Sequence, residues 1–421
     1  MYDGGMHKTC SLLLVANLSC MAATWRVGPG RTYAAPRTVA SLVADGDTVA
    51  IDAGDYPDEV ATWSRSRLVL RGVGGFAHLK APAAISNGKA IWVIAGNDAV
   101  VDSIEFSGAA VPDLNGAGIR AEGINLTTRH SWFHDNQEGI LGGKGHVRIE
   151  NSEFARNGAG DGYSHNLYIS NCDTFTLVGS YSHHAVIGHE VKSRAKVNIL
   201  IGNWIGNEAS GTASYEIDLP NGGSSIVMGN MIQQGISTDN PVMVSYGEEG
   251  LSNPGTDLSF AHNTLVNDRA AGTFVRVAAG TSGKLVNNLH AGAGSFLSGV
   301  IDTAGNLEAT SADFVDRAGF DYRLAPSSKA IDAGKAPGAA MGWSLLPVQE
   351  FLRGRGAVAR MADGRPDVGA WEVAMVGVRA GGVRPHAGAA EGVRVDPGGW
   401  AVVGDRDLSG RRLRAPTVES P

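Results

Sequence analysis

Residues 160–222 read GDGYSHNLYISNCDTFTLVGSYSHHAVIGHEVKSRAKVNILIGNWIGNEASGTASYEIDLPNG. Three short extended segments stand in this stretch: HNLYI at 165–169, HEVKSR at 189–194 and SYEIDL at 214–219. Each alternates apolar and polar residues, the period of a strand with one buried face. Leu167, Ile169, Val191, Ile217 and Leu219 take the inward phase. Asn166, Tyr168, Glu190, Lys192, Arg194, Glu216 and Asp218 take the outward phase. Asn166 to Glu190 is 24 residues and Glu190 to Glu216 is 26. If each step is one turn of a solenoid, Asn166, Glu190 and Glu216 stack in one column and Tyr168, Lys192 and Asp218 in the next. The expectation is a compact acidic, basic and phenolic patch on one sheet face.

The same beat runs through the chain. A Ser or Asn precedes one or two apolar residues at Ser103, Ser131, Ser152, Ser180, Asn203, Asn230, Asn263 and Asn288, at intervals of 21 to 33 residues. That is the range of a solenoid coil. A β-sandwich would show hairpin turns every 8–12 residues. The predicted fold is therefore all-β: a single right-handed parallel β-helix, with insertions bulging at its corners. Asn suits these bends because it tolerates left-handed geometry and its side chain can bond along a ladder. With 58 glycines among 421 residues and 18% charged residues, composition also favours short strands and tight turns.

Residues 25–56, WRVGPGRTYAAPRTVASLVADGDTVAIDAGDY, resemble the opening of pectate-lyase-like parallel β-helix proteins. That resemblance implies a short amphipathic capping helix over Thr38–Val43, a turn at Asp45–Asp47, and a first rung beginning at Thr48. Residues 311–334 and 365–372 resemble the closing segment of secreted polysaccharide-binding β-helix proteins, so the ordered domain is expected over 24–372. Residues 373–421, rich in Gly, Arg, Pro and Ala, read as a disordered tail. At the other end, His7 and Lys8 precede an apolar run and then Met21-Ala22-Ala23, the pattern of a signal peptide over 1–23. The expected location is secreted or periplasmic. Cleavage would leave Cys172 as the single cysteine and exclude an internal disulfide framework. No later run is apolar and long enough to span a bilayer. The net charge of −7 carries no basic stripe for nucleic acid. A monomer is expected.

The central patch suits β-elimination on a uronic-acid polysaccharide. The C5 proton becomes acidic once the adjacent carboxylate is neutralised, a base removes it, and an acid protonates the departing C4 oxygen. Asn166, Glu190 and Glu216 are hard oxygen ligands for Ca²⁺. Lys192 is the candidate base, Arg194 can clamp a substrate carboxylate, and Tyr168 can protonate the leaving group. Glu216, Asp218, His189 and Tyr246 are expected to contact substrate, and the loop 247–255 to overhang the same face. His165, just before its strand, is the candidate proton shuttle. A zinc site from His165, His189 and an acid would require both rings on one side, and strand phase separates them.

The segment HEVKSRAKVNILIGNWI, residues 189–205, resembles the alginate lyase and chondroitinase B group of β-helix polysaccharide lyases. There an acidic residue shortly precedes a Lys-Ser, the Lys is the base, and Asn and Glu bind Ca²⁺. The resemblance implies Lys192 as base and Glu190 and Asn166 as calcium ligands. Those enzymes carry an Arg-His-Gly on the following rung. Residues 215–222 read YEIDLPNG, so the acid falls to Arg194, Tyr168 or a histidine. The reading reached is a lyase acting on an acidic polysaccharide. Its alternatives are a C5-epimerase, a hydrolase using Glu190, Glu216 and Asp218, and a non-catalytic glycan-binding surface protein.

Overall fold

The computed structural model describes residues 22–353, 356–361 and 364–373, with the backbone of Val393–Val395 and Ala401–Val403. Twenty-nine strands pair in parallel as one continuous system. It winds as a three-faced β-helix, in the right-handed sense that parallel crossovers take. One coil runs through Leu167–Ile169, Thr174–Val178 and Tyr181–His183. The next runs through Val191–Ser193, Val197–Ile201 and Trp204–Gly206, and the third through Ile217–Leu219, Ser224–Met228 and Met231–Gln234. We name the three faces sheets I, II and III in that order.

In-register stacking places like residues on like. Phe106, Phe133 and Phe154 stack inside the coil with ring centroids 4.8 Å apart and planes within 6° of parallel, the spacing of adjacent strands. At the corner between sheets II and III, Ser131, Ser152 and Ser180 each accept the backbone N–H one coil earlier at 3.2 Å. Asn203, Asn230, Asn263, Asn288 and Asn306 continue the line. Each of the first four donates Nδ2 to the next Asn Oδ1 at 2.9–3.0 Å. The Ser/Asn beat of the sequence is this ladder. The left-handed residue is the one before it, not the Asn itself: Gly202 has φ 60°, Gly229 φ 67° and Asn287 φ 56°.

The expected capping helix is absent. Among the described residues there is no α-helix, and Pro36–Thr38 forms one 3₁₀ turn. The segment after it, Val39 to Ala44, is too short to propagate a helix and carries two Val and a Ser. It makes a single further turn, in which Val43 N–H donates to the Val39 carbonyl at 3.2 Å. Val39 and Val43 are nonetheless buried over the open end of the coil, so the capping role survives in a turn.

After Ala309 the chain leaves the coil and folds back. Phe314, Tyr322, Phe351 and Trp371 pack on Trp204, Met231 and Leu289, the outward residues of sheet III. Leu345 covers Ile199, Ile226 and Met228 on sheet II. Arg360 and Glu372 form an ion pair with only 2% of either side chain exposed. In this stretch sheets II and III are roofed and sheet I is not. The expected signal peptide lies outside the described residues but for its last two. The expected tail lies outside them too, apart from Val373 and the backbone of two short strands, Val393–Val395 and Ala401–Val403, which pair antiparallel. No described helix is long and apolar enough to cross a membrane.

The ladder generates a stability prediction. Asn230→Ala removes the acceptor of Asn203 and the donor to the Leu200 carbonyl, in a site with no water access. We expect a loss of about 2–4 kcal/mol, seen as a clear drop in the thermal unfolding midpoint.

Candidate functional site

The outer face of sheet I carries one registered line of polar residues. Tyr168 pairs with Lys192, Lys192 with Asp218, Asp218 with Ser245 and Ser245 with Arg276. Arg120 continues the line beyond Leu141. The expected column of Tyr168, Lys192 and Asp218 therefore stands on one face. Lys192 Nζ lies 3.9 Å from Asp218 Oδ2 and 5.3 Å from the centre of the Tyr168 ring. Its side chain is 13% exposed and that of Asp218 is 5% exposed. Burial lifts the Asp218 carboxyl to about 7 against the pull of Lys192. Arg194 Nε donates to Tyr168 Oη at 3.0 Å.

The loop 247–255 overhangs this face as expected. Glu249 takes the Arg194 guanidinium in a two-pronged pair at 2.7 and 2.8 Å, and Asn221 accepts from the same guanidinium at 2.7 Å. Arg194, expected as a free clamp, is thus already holding a carboxylate. The Glu249 pair raises its pKa further. Glu248 is paired with Arg276 at 2.7 Å. Asn253 Nδ2 donates to the Ala195 carbonyl at 3.0 Å and anchors the loop base.

The column of Asn166, Glu190 and Glu216 forms, but inside the coil. All three side chains are fully buried. They precede their strands, at the corner where the chain turns from sheet III into sheet I, and period-two alternation does not extend around a corner. Asn166 extends a second ladder: Asn136 donates to Asn157, Asn157 to Asn166, and Asn166 to Glu190 at 2.9, 2.8 and 2.5 Å. Glu190 also accepts from Ala185 N–H and Ser182 Oγ at 2.9 Å each. Burial raises Glu190 to about 8 and holds Glu216 well above the usual carboxylate range, with repulsion from Glu190 adding to it. Two carboxyl groups kept neutral and facing the interior do not fit a Ca²⁺ site open to a polymer.

The histidines form a third ladder one residue earlier. Glu138 Oε2 accepts His165 N–H at 3.0 Å, His165 Nδ1 accepts His189 N–H at 2.9 Å, and His189 Nδ1 accepts Tyr215 N–H at 3.4 Å. The two rings stack at 4.4 Å and 20°, which corrects the expectation that strand phase separates them. Gly188 permits the approach, because a Cβ there would collide with the Ser164 carbonyl oxygen. With each Nδ1 accepting, the proton of each neutral ring sits on Nε2. Burial and the nearby Lys192 and Arg194 push His189 down to about 3, and burial with His189 holds His165 well below the histidine range. His165, expected to project as a shuttle, is 1% exposed and fixes the backbone of the next coil. His189 keeps Nε2–H toward Asp218 Oδ2 at 3.5 Å.

Tyr246, expected against substrate, is in the core, its Oη donating to the Gly223 carbonyl at 2.7 Å. It shares the inward phase of Leu219 and Val277, so Ser245 faces the patch instead. Glu138 and Glu249 were not singled out from sequence. Glu138 falls 27 residues before His165, one coil back, and that spacing was the available signal. Glu249 reaches the patch only through a loop. His165 Nε2, Glu216 Oε2 and Asp218 Oδ1 are buried without a hydrogen-bond partner.

No family model and no curated protein matches this chain. Among solved structures, the chain is similar to the crystal structure of the pectate lyase Pel9A, with a TM-score of 0.58 and 14% identity. The match covers 85% of this chain and 97% of that one. The shared fold is the parallel β-helix.

The buried glutamate gives a pH prediction. Glu190 ionises near 4.5 when unfolded and near 8 when folded. The folded chain keeps a proton that the unfolded chain loses across that window. Stability therefore falls as pH rises from about 4.5 to about 8, by roughly 2–4 kcal/mol from this residue. Denaturant unfolding of Glu190→Gln between pH 5 and 8 should show a flatter slope than the unaltered chain.

Proposed function

We propose that this chain is a polysaccharide lyase that cleaves a uronic-acid-containing polymer by β-elimination, outside the cytoplasm, with Lys192 as base. The fold alone names no reaction. The observation that carries the reading is the triplet on the open face of sheet I: Lys192 between Tyr168 and Asp218 in register, beside Arg194. Lys192 Nζ takes the C5 proton. The C–H electron pair becomes the C4–C5 double bond as the C4–O bond breaks, and Tyr168 O–H protonates the departing oxygen. Arg194 Nε–H, donating to Tyr168 Oη at 3.0 Å, holds that hydroxyl in place. His189 Nε2–H and Asp218 set the charge beside the base.

Neutralisation of the substrate carboxylate falls to Arg194 rather than to a cation on Asn166, Glu190 and Glu216. The Glu249 carboxylate in the Arg194 fork stands where a uronate carboxylate would bind once the loop yields. A hydrolase needs two carboxyl groups flanking the scissile bond. Glu190 and Glu216 point into the interior and Glu248 and Glu249 are bound by arginines, which leaves Asp218, of these central-coil carboxyl groups, on the face.

Ultraviolet absorbance on a panel of uronate polysaccharides tests this reading. We expect an unsaturated product, reduced about 10²–10⁴-fold in Lys192→Ala. New reducing ends without absorbance would replace the lyase with a hydrolase. Absence of both would leave epimerisation or glycan binding. Glu249→Ala, by removing the internal competitor, should lower KM several-fold while kcat changes little.

A further inference from the structure

We propose that His78, Glu105 and His134 form a binding site for a divalent transition-metal ion of the zinc class, on the outer face of sheet III. The three residues lie in Val69–Lys80, Ile104–Ser107 and Trp132–His134, strands of successive coils. Ala77, Leu79, Ile104, Phe106 and Phe133 take the inward phase, so the three side chains project together from the opposite face. They retain 18%, 13% and 12% exposure. The C-terminal segment roofs sheet III only further along the coil.

The geometry converges on one point. One ligand atom from each residue lies within 4.8 Å of the others. Glu105 Oε1 is 3.0 Å from His134 Nε2 and 3.4 Å from His78 Nε2. Ligands bound at about 2.0–2.1 Å around a tetrahedral ion are about 3.3 Å apart, so the cluster needs little rearrangement to close on an ion.

Proton placement points the same way. Asp135 Oδ2 lies 2.6 Å from His134 Nδ1, and Asp55 Oδ1 lies 3.1 Å from His78 Nδ1. A carboxylate only accepts, so each Nδ1 carries hydrogen and each Nε2 of a neutral ring presents a lone pair. The His134 lone pair then faces the Glu105 carboxylate at 3.0 Å, which is also an acceptor, and the His78 lone pair accepts Ser107 Oγ–H at 2.7 Å with the same carboxylate 3.4 Å away. A cation at the convergence turns that repulsion into coordination. A carboxylate behind each ligating imidazole is the outer shell that orients metal-binding histidines. Those carboxylates are braced in turn: Lys80 holds Asp55 at 2.9 Å, and Arg156 holds Asp135 at 2.8 Å. Ser107 Oγ, 2.7 Å from His78 Nε2, stands beside the site where a fourth, water ligand would complete the shell. Two imidazoles and one carboxylate suit zinc and its neighbours and do not suit Ca²⁺. The ion would tie three coils together, on a different face from the proposed lyase centre.

The test uses the untagged full chain, stripped with a chelator and dialysed. Zn²⁺ calorimetry should find one equivalent that is lost in His78→Ala and His134→Ala and weakened at least tenfold in Glu105→Gln. It should persist in His183→Ala, which removes another histidine paired with a glutamate on this face. Co²⁺ added to the unaltered chain should give the intense visible bands of a four-coordinate site, a readout independent of how any variant folds. The thermal midpoint should rise with Zn²⁺ and not with Ca²⁺. Zinc binding that survives both His78→Ala and His134→Ala would overturn the proposal. So would an unaltered, folded chain that takes up no Zn²⁺ in calorimetry.

Discussion

Everything in this chain depends on one constraint: each coil must satisfy the buried polar groups of the coil beside it. Parallel stacking brings backbone N–H and C=O groups together along the strands, but corners interrupt the ladder and leave groups that water cannot reach. Side chains take over there. Ser and Asn do so at one corner, Asn and Glu at another, and Glu138, His165 and His189 one residue earlier. Because each bond links neighbouring coils, the register of one coil fixes that of the next.

The same constraint decides which polar residues are available for chemistry. A residue within a strand points by its parity, so Tyr168, Lys192 and Asp218 face outward. A residue at the corner points where the ladder needs it, so Asn166, Glu190 and Glu216 face inward. The C-terminal segment then covers sheets II and III beside the central coils with Phe351, Trp371 and Leu345, and the loop holding Glu249 borders sheet I. One open face remains there, with Lys192 and Arg194 on it.

The electrostatics of that face follow from what lies beneath it. Glu190, Glu216, His165 and His189 are kept neutral by burial. Arg194 and Glu249 keep their charges as an ion pair, with Asp218 lifted toward neutrality. A low-dielectric floor under a few charged groups strengthens their action on a bound carboxylate. The unpaired His165 Nε2 and Asp218 Oδ1 belong to the same floor.

Much of this was legible in the amino-acid order because a solenoid writes its geometry as spacing. The beat of Ser and Asn, the 24- and 26-residue steps and the strand alternation at Tyr168, Lys192 and Asp218 determined the fold and the outward column, since both depend only on period and parity. Tertiary structure alone decided the rest. It turned Asn166, Glu190 and Glu216 inward, sank Tyr246 into the core and reduced the capping helix to a turn. It also placed Glu249 on Arg194 and drew His78, Glu105 and His134 together. Coil spacing tells which residues stack, as the 24-residue step from His165 to His189 does. Which way a side chain points at a corner, and what a loop brings to it, depends on corner geometry, loop path and hydrogen-bond demand between coils.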